Sequence, residues 1–224
     1  VFGIYLGISL VLDSFVSEHS LTKLSGGIMK DKARSRKASP ERRQEIAIAV
    51  LDLIGAKGAK SLTSAQISNH LGLSAGAIFR HFASLDEILE AAVDLAIELV
   101  EQSFPDKSAE PKQRLLQLGL NRVAVVRAHP GISWLLLSDQ GLLGVPEPAA
   151  KRIRALVKRS RSFVATALQQ ADRARDLQPN AAPEVSAVLF MGAIHALIRT
   201  GKRTRAPKPD VVLSTLLDMI FVRP

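Results

Sequence analysis

Thr63-Ser64-Ala65-Gln66-Ile67-Ser68-Asn69-His70-Leu71-Gly72-Leu73-Ser74-Ala75-Gly76-Ala77-Ile78-Phe79-Arg80-His81-Phe82 holds two helix-start signals with one break between them. At the first, the Thr63 hydroxyl and the Gln66 amide can each satisfy a free backbone N–H, a capping box. Gly72 supplies the positive φ that ends the first helix, and Ser74 is suited to cap the second. Ser68 is small where two helices cross, while Ile67, Leu71, Leu73 and Ile78 are spaced to lock the crossing angle. The result is a helix-turn-helix. Its second helix opens on Ser74, Ala75, Gly76 and Ala77, an edge stripped of bulk that fits against a DNA backbone or the floor of the major groove. Arg80 and His81 add donors one turn later.

Upstream, Ser39 as N-cap and Pro40 at the first turn open a helix that aligns Ile46, Val50, Leu53 and Ile54 and stops near Gly58. Downstream, Ile88, Leu89, Ala92, Leu95, Ala96 and Leu99 form the stripe of a longer helix from about Leu85 to Ser103, closed by Pro105. Pro111, Pro130, Pro148, Pro183 and Pro209 then punctuate helical segments at 112–128, 131–139, 148–173, 183–200 and 209–222. The predicted fold is all-α with about nine helices. It comprises a three-helix head at 39–85, with the motif at 63–82, and a helical bundle body at 86–224. Val185 to Ile198 is apolar nearly all round, which requires two buried faces, one against its own core and one against a second subunit.

The motif resembles the TetR/AcrR family of bacterial transcriptional regulators. The residues that carry the resemblance are Thr63-Ser64, Ile67-Ser68, Gly72-Leu73-Ser74, Gly76, Phe79 and His81-Phe82, followed by Leu85-Asp86-Glu87-Ile88-Leu89, over roughly residues 40–95. Phe79 stands where the family pattern has a tyrosine, and Leu85 where it has a lysine. The resemblance implies that positions 74–81 dock in the major groove of double-stranded DNA, making Ser74, Ala75, Gly76, Ala77, Phe79, Arg80 and His81 DNA-binding candidates beside Thr63 and Ser64. It also implies a homodimer through 183–200 and 209–222, where Ala187, Gly192, Ala193 and Ala196 permit close approach. A small-molecule effector in the body would release the DNA, and Phe104, Trp134, Met191 and His195 are the pocket candidates. The implied role is a repressor on a palindromic operator. The alternatives are a nucleoid-associated relative without an effector and a ligand-binding helical protein that no longer binds DNA.

Charge supports a polyanionic partner. The 224 residues carry 30 Lys+Arg against 21 Asp+Glu, a net charge of +9 with a sequence pI near 10.2. Residues 30–43 hold seven basic residues (Lys30, Lys32, Arg34, Arg36, Lys37, Arg42, Arg43) against Asp31 and Glu41, more than half of that excess. Such an arm can track phosphates beside the motif, with Lys37, Arg42 and Arg43 the contacts nearest to it. Residues 1–38 read as an extension and arm outside the fold, and Met29 as a candidate start. The apolar run at 1–12 is too short to span a bilayer, so no membrane partner is expected.

Zero cysteines exclude disulfides and thiolate chemistry and point to the cytoplasm. His19, His70, His81, His129 and His195 lack metal-ligand spacing, and no nucleophile motif or phosphate loop is present, so neither an enzyme, a metal nor a cofactor is expected. His129 reads as a cap before Pro130, and His195 as a core or interface residue. Two further basic clusters stand apart from the motif: Lys151, Arg152, Arg154, Lys158, Arg159 and Arg161 on one helix, and Arg199, Lys202, Arg203, Arg205 and Lys208. Each reads as a solvated face, an acidic-effector contact or a second macromolecular contact.

Overall fold

Apolar spacing of three and four residues and proline-opened first turns carry through into the computed structural model, which describes residues 39–222 apart from 108, 139 and 201–206. The extension at 1–28, the arm with Lys37, and Lys202, Arg203 and Arg205 lie outside the described residues. Among the described residues, nine α-helices follow in order: α1 Ser39–Lys57, α2 Ser64–Leu71, α3 Ala75–Ile78, α4 Leu85–Glu101, α5 Pro111–Ala128, α6 Pro130–Leu137, α7 Glu147–Arg173, α8 Pro183–Thr200 and α9 Pro209–Ile220. A 3-10 turn at Ala59–Ser61 links α1 to α2. Among the described residues the β component is a single antiparallel bridge, Leu177 to Phe221, which ends α9 short of the predicted residue 222.

The apolar face of α1 is buried as its spacing predicts: Ile46, Val50, Leu53 and Ile54 are all in the core. They pack against α2, α4 and α6. Ile67, Ile78 and Phe82 close the same core from the motif side. Further along, α5 lies between α7, α8 and α9, and α4 rests on α7. Leu115, Leu118, Val164, Leu168, Phe190 and Leu213 fill that second region.

Glycine sets how tightly α1 meets α6. A Cβ at Gly55 would sit 2.7 Å from the Gly131 nitrogen, and one at Gly131 would collide with the Leu51 carbonyl oxygen. The two backbones therefore touch with no side chain between them. Just beyond, Gly58 adopts φ of 78°, and a Cβ there would lie 2.6 Å from Cζ2 of Trp134. Trp134 is a packing residue at the seam between α6 and the end of α1.

The second face of α8 meets nothing among the described residues. Val185, Val188 and Leu189 are 58%, 72% and 53% exposed, and the neighbouring α9 adds Val211 and Met219 at 55% and 68%. Among the described atoms nothing lies within 4 Å of a Cβ built on Gly192, midway along this face.

Candidate nucleic-acid interface and body cavity

The motif forms by the local chemistry read from its residues. The Thr63 hydroxyl accepts the Gln66 N–H at 3.3 Å, and the Gln66 side chain accepts the Thr63 N–H at 3.1 Å. Gly72 sits in the left-handed region at φ 62°, and its N–H reaches back to the Asn69 and Ser68 carbonyls. Ser74 caps α3 by accepting the Ala77 N–H at 3.2 Å. Ser68 is buried at the crossing of α2.

The motif's second helix is shorter than its sequence suggests. Helical bonding stops at Ile78, and Phe79 to His81 form a turn in which the His81 N–H bonds the Ile78 carbonyl at 2.9 Å. The turn tightens because Phe82 must enter the core while Arg43 takes the His81 carbonyl. Arg80 and His81 thus extend from a turn, not from a helical flank.

Most of the predicted contact residues of the motif are open to solvent. Thr63, Ser74, Ala75, Gly76 and Arg80 are exposed, while Ser64, Ala77 and His81 are half-buried. A Cβ on Gly76 would meet open space. Phe79 is 41% exposed, an aromatic ring presented to solvent beside this edge. Arg42 and Arg43 are occupied within the protein. Arg42 pairs with Glu45 at 2.7 Å. Arg43 lies 4.0 Å over the Phe82 ring and pairs with Glu87 at 2.8 Å, besides donating to the His81 carbonyl. Sequence spacing missed this clasp because Arg43 and Glu87 are 44 residues apart.

A second locus lies in the body. A cavity of about 100 Å³ is lined by residues from α5, α6, α7 and α8, including Arg122, Ser160, Arg161, Met191 and His195. It adjoins two more open hollows of about 510 and 210 Å³ that share Leu136 with it. Met191 and His195 line the cavity. Phe104 instead makes an edge contact with Phe163 at 5.2 Å, under the Arg122 guanidinium, and Trp134 packs at the α1 seam. Sequence spacing does not mark Arg122. A lone arginine in an amphipathic helix looks like any surface cation, and its burial comes from tertiary packing.

Arg122 is 8% exposed. Its Nε donates to Ser103 Oγ at 2.8 Å and its Nη1 to Ser160 Oγ at 3.2 Å, whereas the buried Nη2 has no hydrogen-bond partner among the described residues. Burial pulls its guanidinium down to about 10, which leaves it charged at neutral pH. Burial, and then the Arg161 and Arg122 cations, hold His195 below the ordinary histidine value. His129, at the α5–α6 junction, makes no side-chain cap bond. Along α7, Arg152 pairs with Glu90 and Asp94, Arg154 with Glu147 and Arg159 with Glu101, so half of that basic cluster is neutralised locally. No group of three or more metal-ligating side chains occurs among the described residues, and no described helix is long and apolar enough to cross a membrane.

Comparisons with known proteins agree with this architecture. Residues 49–92 match the family model described as bacterial regulatory proteins, tetR family. A nucleoid occlusion factor, SlmA, of Marinobacter nauticus is 26% identical over 177 residues, covering 76% of this chain and 90% of that protein. SlmA of Vibrio cholerae is 28% identical over 141 residues, 61% of this chain and 69% of that protein. Among solved structures, the ketosteroid transcriptional regulator KstR2 of Mycobacterium tuberculosis superposes with a TM-score of 0.68 at 18% identity, covering 86% of this chain and 98% of that one. AibR in complex with isovaleryl coenzyme A and operator DNA gives 0.67 at 18% identity, over 80% and 98%. These two likenesses establish a shared fold.

Proposed function

We propose, on the premise that the chain belongs to the TetR family of bacterial regulatory proteins and is a DNA-binding regulator, that it represses transcription as a homodimer released by a small effector. The head at 39–85 reads DNA, and the body at 86–224 dimerises and binds the effector. The observation that carries this reading is the bare edge Ser74–Ala77, fixed by two caps and open in front of Gly76. That edge enters the major groove, and Arg80 and His81 supply the base-edge donors. Thr63 and Ser64 sit at the start of α2 as phosphate contacts, and Phe79 packs against the sugar-phosphate wall. Arg43 acts as a positioning residue that holds the Phe79–His81 turn in place.

The exposed apolar stripe of α8 and α9 is the second subunit's seat, and Gly192 lets the two copies of α8 approach closely. The pair of heads would then address half-sites about 34–36 Å apart on one face of the duplex. The isovaleryl coenzyme A and operator DNA bound together in the AibR complex support the idea that this fold serves both ligands. A second reading, nucleoid association without an effector, is favoured by the nucleoid occlusion factors among its relatives.

Electrophoretic shift with DNA from upstream of the protein's own gene tests the DNA reading, and absence of a shift at low salt would sink it. Arg80→Ala with His81→Ala is expected to weaken specific binding by about 1–3 kcal/mol per lost base contact while sparing non-specific binding. A saturable effector that lowers operator affinity separates the repressor from the nucleoid reading.

A further inference from the structure

Arg122 carries a feature that DNA binding and dimerisation leave unused. Among the described residues it is a buried cation with no carboxylate partner, and its side chain lines a cavity together with Ser160, the hydroxyl to which it donates. An uncompensated buried charge costs several kcal/mol. Two serine hydroxyls orient this guanidinium without neutralising it. Around it the surroundings stay cationic. Arg161 lines the cavity and its larger neighbour, Lys158 lines that neighbour beside Arg154, which Glu147 already pairs, and Arg199 lines the third hollow. Among the described residues lining the three hollows there is no Asp or Glu. The remaining walls are aliphatic, chiefly Leu136, Val157, Ile194 and Ile198.

We propose that Arg122 is the anion receptor of the body cavity and that the effector is a short aliphatic carboxylate, its head on the Arg122 guanidinium and its chain against Leu136, Val157 and Ile194. This rests on the effector-responsive reading above and names the ligand class of that site. A volume of about 100 Å³ suits a compact molecule of a few carbons rather than a steroid or a polycyclic drug. A carboxylate supplies the charge that the site lacks and accepts from the guanidinium with a charge-assisted bond. The cationic rim concentrates anions at the entrance. The position also explains how occupancy reaches the head. Arg122 Nε holds Ser103 immediately beyond the end of α4, and the opposite end of α4 carries Glu87, the partner of Arg43. A ligand that draws on Arg122 therefore acts on the helix that leads into the motif.

Calorimetric titration of the full chain in the absence of DNA tests the proposal, with hexanoate and its uncharged counterpart hexanamide as probes. Hexanoate is expected to bind saturably and at least ~10-fold more tightly than hexanamide, the size of one charge-assisted hydrogen bond. Arg122→Met should remove that preference. Arg161→Gln, at an exposed position that the fold does not depend on, should weaken hexanoate a few-fold. Equal affinity for the two probes, no saturable hexanoate binding, or full retention in Arg122→Met would overturn it. The hexanoate and hexanamide comparison needs no variant, so it stands even if Arg122→Met does not fold. Because no DNA is present, failure here leaves the operator reading intact, and failure to shift DNA leaves this result readable.

Discussion

Arg43 and Glu87 join the first helix of the head to the helix that leaves it, at 2.8 Å, while Arg43 also lies over Phe82 and bonds the His81 carbonyl. Glu87 in turn accepts the Ala83 N–H at 2.6 Å, and its own N–H is capped by Ser84 at 3.1 Å. The Ala83 N–H, then Arg43, holds the Glu87 carboxyl below its ordinary value of 4.5. A depressed carboxylate lends stability above the unfolded-state value and loses it as pH falls through the folded one. Glu87→Gln is therefore expected to lower the thermal midpoint at pH 7, with the difference from the parent shrinking below pH 4.5. Thermal melts from pH 3 to 8 check this, and a pH-independent difference would contradict the clasp.

The α1–α6 contact predicts a steric penalty. Gly131→Ala places a methyl group against the Leu51 carbonyl, with backbone on both sides and no flexible side chain to yield. Overpacking of this kind costs about 1–3 kcal/mol. The measurement is the urea midpoint, and Gly76→Ala, which meets open space, is the control expected to change it little.

Association through α8 is open to a charge test. Val188→Asp puts a carboxylate on a residue that is 72% exposed in the single chain but central to the apolar stripe. The monomer fold should persist while the dimer weakens by at least ~2 kcal/mol, roughly 30-fold. Sedimentation velocity with circular dichroism separates the two effects. An unchanged dimer would move the interface elsewhere.

His195 reports on the cavity. Burial and then the Arg161 and Arg122 charges depress its imidazole below 6.5, so acidification through that value costs the ligand-free fold stability. A carboxylate seated beside those cations would offset them and raise the His195 value. Imidazole resonances followed through a pH titration with and without hexanoate give the answer directly, and no upward movement would argue against hexanoate in this cavity.

The Arg122 charge also predicts a trade between binding and stability. Replacing it with methionine removes an uncompensated buried cation at similar volume, and the ligand-free thermal midpoint is expected to hold or rise by up to about 4 °C. A fall of several degrees would mean that the serine bonds outweigh the buried charge.

Local chemistry made the head readable. Thr63 with Gln66, Gly72 and Ser74 act on their immediate neighbours, so spacing alone located them, and the proline-opened helices of the body were legible for the same reason. What spacing could not reveal was long-range. The turn that shortens α3 depends on Arg43, which arrives from another helix. Trp134 and Phe104 occupy apolar faces of the expected kind, yet which neighbour each meets is fixed by how α6 lies on α1 and α5 on α7. Arg122 was invisible because its significance lies in a missing partner, and no sequence pattern records that.

The bare-backbone seam at Gly55 and Gly131 has a mechanical meaning. Helices separated by side chains can glide as rotamers exchange, but two main chains in direct contact behave like a welded corner. The first and sixth helices must then move as one girder, while α4 meets its neighbours through side chains and has room to adjust that the welded pair lacks.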